Sequence, residues 1–417
     1  MRKPVLTIFY QFNPWHSSIG GIQTVIRSFV KYALNEFEVR LVGTQEDPHL
    51  PIGVWQEAEL EGRAIHFLPL LTLQNDNFSK LVPSTIKYTA ALLSRCCASD
   101  FMHFHRLEPT LATRQWPGDK TLFVHNDIQK QMDPTTSKNA ILWQRFPYGY
   151  FALERLLVGQ FNQILSCNIA SMELYRQRYP EIADRVSYLK NTVDNEIFYS
   201  LTLGKREEGK RILARQLGLA EDKRFVLFAG RLHAQKDPVL LVRSIATLND
   251  LDVHLIIAGE GDLANEVRSE ICHLGLSERV TMLGAVAQKE LAHLQRICNV
   301  FVLTSVYEGL PLVVLEALAC GTPVVTTRCG ETPNLLCTGS GLVSQERTPV
   351  AVADALRQVL LHPGDYPVEA CVQTAEPYSA RTVVSAVYND MLRRWEQRNC
   401  LSFAQSSFTT STEISSR

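Results

Sequence analysis

Short apolar runs alternate with longer amphipathic stretches from one end of the chain to the other. The first run, Val5–Tyr10, gives way to a loop closing on Gly20-Gly21. Beyond it Ile22, Val25, Ile26, Phe29, Val30 and Ala33 recur at the spacing of one helix face. Further runs fall at 39–42, 65–68, 101–104, 121–124, 163–166 and 186–189, and the longest helical segment between them covers about 139–159. A second series follows at 224–229, 253–258, 280–283, 300–304, 323–327 and 341–343. Buried strands alternating with helices predict parallel α/β domains, two of them here. Loops from the carboxyl ends of both sheets would then face a central cleft, where ligands bind in such folds.

The charged stretch from Gly204 to Arg211 marks a linker. The predicted organisation is an N-terminal domain over 1–198, a linker over 199–222 and a second domain over 223–378. A closing helix over 379–400 carries Val384, Val387, Tyr388, Met391, Leu392 and Trp395 on one face. Residues 401–417, rich in Ser and Thr, read as a disordered tail.

A length of 417 residues agrees with two domains. With 46% hydrophobic and 20% charged residues the chain is of ordinary globular composition. A net charge of −1 supplies no basic excess for phosphates and argues against a nucleic-acid partner. The ten cysteines are scattered without a C-x-x-C pair, as expected of reduced thiols in a cytoplasmic protein. The apolar part of the N-terminus is too short for a signal peptide, and no run reaches the ~18 residues of a membrane span.

Chemistry concentrates in a few loops. Glu308-Gly309-Leu310-Pro311-Leu312 runs into an apolar segment that carries Glu316 and closes at Gly321 and Pro323. It reads as a loop entering a short buried helix, with Pro311 in the first turn. A carboxylate in such a run is costly unless something hydrogen-bonds it. Eight residues of helix and approach span about 12 Å, near the reach of a sugar-diphosphate-ribose. Helix-start amides favour the diphosphate, and the carboxylates can accept from sugar and ribose hydroxyls.

Gly230-Arg231 and Lys236-Asp237-Pro238 lie between a strand and a helix, with Asp237 as N-cap. That leaves Arg231 and Lys236 as two cations suited to a diphosphate. Gly20-Gly21 lets backbone amides approach a phosphate. His105 and His125 end neighbouring strands and would share one sheet edge, whereas His103 points into the packing. Gly259-Glu260-Gly261 is a strand-to-helix turn, weak as a dinucleotide fingerprint because Ala264 stands at the third glycine. Asp250 and Asp252 form a D-x-D before a strand, which reads as a solvated turn. Trp143, Phe146, Tyr148, Tyr150 and Phe151, flanked by Lys138 and Arg155, form an aromatic patch that suits helix packing, a lipid or sugar acceptor, or a membrane surface. Residues 84–95 carry Ile86, Lys87, Leu92, Leu93 and Arg95 and could lie at a membrane interface.

Glu308, Gly309, Leu310, Pro311, Glu316 and Gly321 resemble the E-x7-E signature of retaining glycosyltransferases of family 4, which have the GT-B fold. The resemblance covers about 20–343. It implies that Gly230, Arg231 and Lys236 hold the donor diphosphate and that Gly20 and Gly21 meet it from the N-terminal domain. It also implies that His125 orients the donor sugar and that Gly259 and Gly261 lie near the nucleotide base. Gly309, Leu310, Leu312 and Glu316 would complete the donor site, and Glu308 would act on the sugar. Four departures stand out: Gln23 where an acid is common, Thr192 for Gly in Asn191-Thr-Val-Asp194, Asp237 for the Gly after Lys236, and Asn334 at the acidic position of Cys329-Gly330-Glu331-Thr-Pro-Asn334.

The function expected is a metal-independent, retaining transferase that moves a hexosyl unit from a UDP- or GDP-linked sugar to a hydroxyl of a lipid, glycan or small molecule. No cofactor is expected, because Arg231 and Lys236 take the place of a metal. The location expected is cytoplasmic, with peripheral contact at the membrane face as an option. The alternatives are an NAD-dependent oxidoreductase and a non-catalytic sugar-nucleotide-binding module.

Overall fold

The computed structural model describes residues 2–15, 20–73, 84–125 and 147–413. Strands β1 (Val5–Phe9), β2 (Glu38–Gln45), β3 (Gln56–Leu60), β4 (Arg63–Thr72), β5 (Phe101–Phe104), β6 (Asp119–Val124), β7 (Gln163–Ser166) and β8 (Val186–Tyr188) build the first sheet. Its order is β3-β4-β2-β1-β5-β6-β7-β8. The pairings from β4 through β2, β1 and β5 to β6 are parallel, with Val5 opposite Glu38 and Leu6 opposite Phe101. Only β3 was not anticipated: it pairs antiparallel with β4 at the sheet's edge, and its charged alternation Gln-Glu-Ala-Glu-Leu buries Ala58 and Leu60 alone.

The second sheet contains β9 (Arg224–Ala229), β10 (Val253–Ala258), β11 (Val280–Gly284), β12 (Val300–Leu303), β13 (Val324–Thr326) and β14 (Gly341–Val343). Its order, β11-β10-β9-β12-β13-β14, is parallel throughout. Its three central strands, β10, β9 and β12, are buried along almost their whole length, as their unbroken apolar runs require. The chain leaves β9 on one side and returns to β12 on the other. The crevice beyond the carboxyl ends of β9 and β12 is therefore a topological switch point. In the first sheet the corresponding point lies between β1 and β5.

By internal contacts the chain divides into two compact units. One comprises Met1–Phe123, Leu156–Leu165 and Arg381–Arg417; the other comprises Val124–Arg155 and Ser166–Ala380. In the first, the Tyr388 hydroxyl donates to Phe29 O at 2.9 Å, and Arg394 pairs with Asp119. The closing helix runs Ala380–Glu413, through much of the stretch read as a disordered tail.

The charged stretch read as a linker is the helix Leu203–Gln216. Most of its charges are its solvated face, but Arg206 is buried and donates to the carbonyls of Cys320 and Gly321 at 2.9 and 3.0 Å. The helix Ser84–Leu93 packs by one face and leaves Ile86 and Leu93 exposed. It buries Thr85, Tyr88, Thr89 and Leu92, and the Tyr88 hydroxyl donates to Val42 O at 2.6 Å. All ten cysteines are free thiols. Among the described residues no helix is long and apolar enough to cross a membrane.

Candidate active site

The site is built at the β9/β12 switch point. After β9 the chain turns through Gly230 to Lys236 and enters the helix Pro238–Ala246. Asp237 caps that helix, accepting from Leu240 N at 3.1 Å, and adopts a left-handed φ of 42°. A left-handed backbone explains why glycine suits this position; aspartate is among the few other residues that tolerate it. Arg231 is exposed, and burial together with its charge lowers the pKa of the neighbouring His233 imidazole. Lys236 folds back so that its Cε would stand 3.6 Å from a Cβ at Gly230.

The next turn is held against this one. Gly259, with φ of 153°, lies so close that an added Cβ would sit 1.9 Å from Gly230 O. Gly261 is as tightly packed, 2.4 Å from Leu232 O by the same measure. Leu232 N donates to Glu260 O at 2.8 Å, and Gly259 N to Gly284 O at 2.7 Å. The Gly-x-Gly pair thus has a structural task of its own, which is to let the Arg231 loop settle on the turn after β10.

After β12 the chain reaches Glu308, which is buried and accepts from Lys236 Nζ at 2.6 Å. Sequence spacing gave no sign of this ion pair. It is largely shielded, so removing either partner leaves an uncompensated charge. Gly309 passes so near the chain after β6 that a Cβ would fall 2.2 Å from His125 O. The Cys167 thiol also donates to His125 O, at 3.1 Å, and Asn191 Nδ2 donates to Leu310 O at 2.7 Å. His125, Lys236 and Glu308 therefore belong to one cluster of loops.

The helix Leu312–Ala319 follows, with Pro311 at its N-cap rather than inside its first turn. Every residue of it except Val313 is buried, Leu312 included. Gly321, at φ 74°, ends it, with Thr322 N reaching back to Ala317 O at 2.9 Å. Glu316 lies in the middle of this helix, 5% exposed. Its carboxyl makes no hydrogen bond or ion pair with a described residue, and burial alone pushes its pKa up to about 8. Such a group is an acceptor held ready in an apolar wall.

Gly20 is the N-cap of the helix Gly21–Lys31, in the first unit. His105 is buried there and stacks on Phe123 with ring centroids 4.7 Å apart. His103 is packed between Phe29 and Phe123, and burial lowers its pKa to about 3. Asp250 and Asp252 are in surface ion pairs with Arg357 and Lys223. Among the described residues no group of three or more His, Cys, Asp or Glu is placed to hold a metal ion. In the aromatic patch Phe151 packs under the Arg178 guanidinium at 3.8 Å, and Tyr150 is buried. Lys138, Trp143 and Phe146 lie outside the described residues.

Residues 209–376 match the family described as "Glycosyl transferases group 1". Arg231, Lys236, Glu308 and Glu316 fall within that span. The chain is 30% identical to a D-inositol 3-phosphate glycosyltransferase of Stackebrandtia nassauensis, over 59% of this chain and 56% of the relative. A protein of the same name from Corynebacterium glutamicum is also 30% identical, over 57% and 60%. The chain thus spans little more than half the length of these curated relatives. Among solved structures, a sucrose-phosphate synthase from Thermosynechococcus elongatus superposes with a TM-score of 0.77 at 16% identity, covering 95% of this chain and all of that one. HepE from Anabaena, in complex with UDP and glucose, superposes with a TM-score of 0.67 at 16% identity, covering 93% and 98%. At that identity the likeness shows the fold, which is GT-B.

Proposed function

We propose that this chain is a retaining glycosyltransferase of family 4 that takes a hexosyl unit from a UDP- or GDP-linked sugar. The observation that carries the reading is Glu316. A buried carboxyl without a partner among the described residues, in the helix after the switch point, is what a ribose-anchoring acceptor requires. The glycosyltransferase match over 209–376 and the names of the relatives support the same reaction class. The UDP and UDP-glucose held by HepE favour a UDP-linked donor.

In this reading the ribose hydroxyls donate to Glu316, and Arg231 and Lys236 meet the diphosphate. The diphosphate competes with Glu308 for the Lys236 ammonium, which frees Glu308 to accept from a hydroxyl of the sugar. The bond from the anomeric carbon to the diphosphate breaks while a bond to the acceptor oxygen forms on the same face. The acceptor's proton passes to the departing diphosphate oxygen. His125 orients the sugar. The two cations supply the electrostatic stabilisation that a metal ion gives elsewhere, so no metal is required. The acceptor is a hydroxyl of a lipid, glycan or small molecule, and the protein works in the cytoplasm, with peripheral membrane contact if the acceptor is a lipid.

Thermal-shift titration with UDP, GDP, ADP and NAD tests the reading. Stabilisation by UDP or GDP, weakened in Glu316→Gln, supports it. Stabilisation by NAD alone would turn the assignment to an oxidoreductase.

A further inference from the structure

We propose that Glu331 is a positioning residue that holds Glu308 in register for the sugar, an inference that rests on the transferase reading. Glu331 is buried and serves three loops at once. Its Oε1 accepts from Ile169 N at 2.7 Å, the first amide of the helix Ile169–Arg178. A helix start leaves such donors without an intrahelical partner. Asn168 caps the same helix through Ser171 N at 2.7 Å, so the two side chains satisfy different amides. The other carboxylate oxygen, Oε2, accepts from Asn334 Nδ2 at 3.1 Å. The backbone N–H of Glu331 donates to Gly309 O at 2.8 Å, one residue from Glu308.

The loop after β13 is thereby tied to the loop after β12 and to the start of the helix after β7. The last of these is continuous with Cys167, whose thiol reaches His125 O. Asn334 stands where the resembling segment carries an acid, and here the acid lies three positions earlier with Asn334 as its donor. The arrangement fixes Gly309, and with it the carboxylate of Glu308. A displacement of about 1 Å at a reacting centre costs up to a hundredfold in rate.

The test combines Glu331→Ala and Glu331→Gln with nucleoside diphosphate calorimetry, donor turnover and amide exchange. Glu331→Ala is expected to lower kcat by about ten- to a hundredfold while UDP affinity stays unchanged. Glu331→Gln keeps an acceptor for Ile169 N–H and is expected to restore turnover. In a Glu308→Ala background, Glu331→Ala should cause no further loss, because the effect runs through Glu308. Amide exchange over 306–312 should rise in Glu331→Ala and not in Glu331→Gln, which is readable whether or not the donor is turned over. Unchanged exchange in Glu331→Ala, an additive double variant, or equal losses of kcat and UDP affinity would overturn the proposal. Wild-type protein that turns over no donor would refute the transferase reading instead, and the exchange result would still decide whether Glu331 pins the loop.

Discussion

In Glu316→Gln a buried carboxyl is exchanged for a neutral group of nearly equal size, so the packing stays and the titration goes. Burial raises the wild-type carboxyl from 4.5 to about 8. A raised carboxyl pKa means that the folded chain keeps a proton which the unfolded chain releases near 4.5. Below that pH burial of the neutral acid carries no titration penalty. Between about 4.5 and 8 the unfolded chain binds fewer protons than the folded one, so stability falls as pH rises. At 1.36 kcal/mol per unit, the interval up to pH 7.5 amounts to about 4 kcal/mol. The variant has nothing to ionise and escapes this loss. Denaturant melts at stepped pH should therefore show wild type and Glu316→Gln nearly equal in acid, with the variant gaining a few kcal/mol by pH 7.5. Nucleoside diphosphate should act in the opposite direction. Ribose hydroxyls donate best to the ionised carboxylate, so binding to the wild type releases a proton and tightens with pH across the same window. Calorimetry in buffers of different ionisation enthalpy reads that proton. Affinity in the variant should fall by about 1–3 kcal/mol, with the proton release lost. A stability gap independent of pH, or equal UDP affinity with equal proton release, would rule out Glu316 as the titrating ribose acceptor.

Glu308→Ala should cut turnover strongly while nucleoside diphosphate affinity holds or rises, since Lys236 loses its competing partner, measured by released nucleotide and by calorimetry; equal losses in both would mean that the two carboxylates share one task. Arg231→Ala and Lys236→Ala should each cost about 3–4 kcal/mol of transition-state stabilisation in kcat/KM. Wild-type activity should survive excess EDTA, and Asp252→Ala, a surface partner of Lys223, should leave it unchanged.

Much of this was legible in the sequence because strand runs and start signals are local. The six strands of the second sheet follow their apolar runs, and Asp237-Pro238 marks a helix start at its cap. β3 escaped notice because an edge strand with one small and one large apolar residue carries little period-2 signal. The helix Leu203–Gln216 looked like a linker because its charges face solvent, and the one that does not, Arg206, is told from the rest only by carbonyls about a hundred residues away. The Lys236–Glu308 pair and the attachments of Glu331 to Gly309 and Ile169 join residues from 22 to 162 positions apart. No spacing rule reaches that far. Glu308 and Glu316 stand out as acids in an apolar run, but only packing shows that, among the described residues, one is paired and the other is not.

Retention of configuration in transfer from a nucleotide-sugar is tested most directly by proton NMR of the sugar freed from UDP-glucose or GDP-mannose. With EDTA present, the α-anomer should appear first, along with the nucleoside diphosphate, and Glu308→Ala should abolish both signals. First appearance of the β-anomer, or release that requires added Mn²⁺, would contradict it.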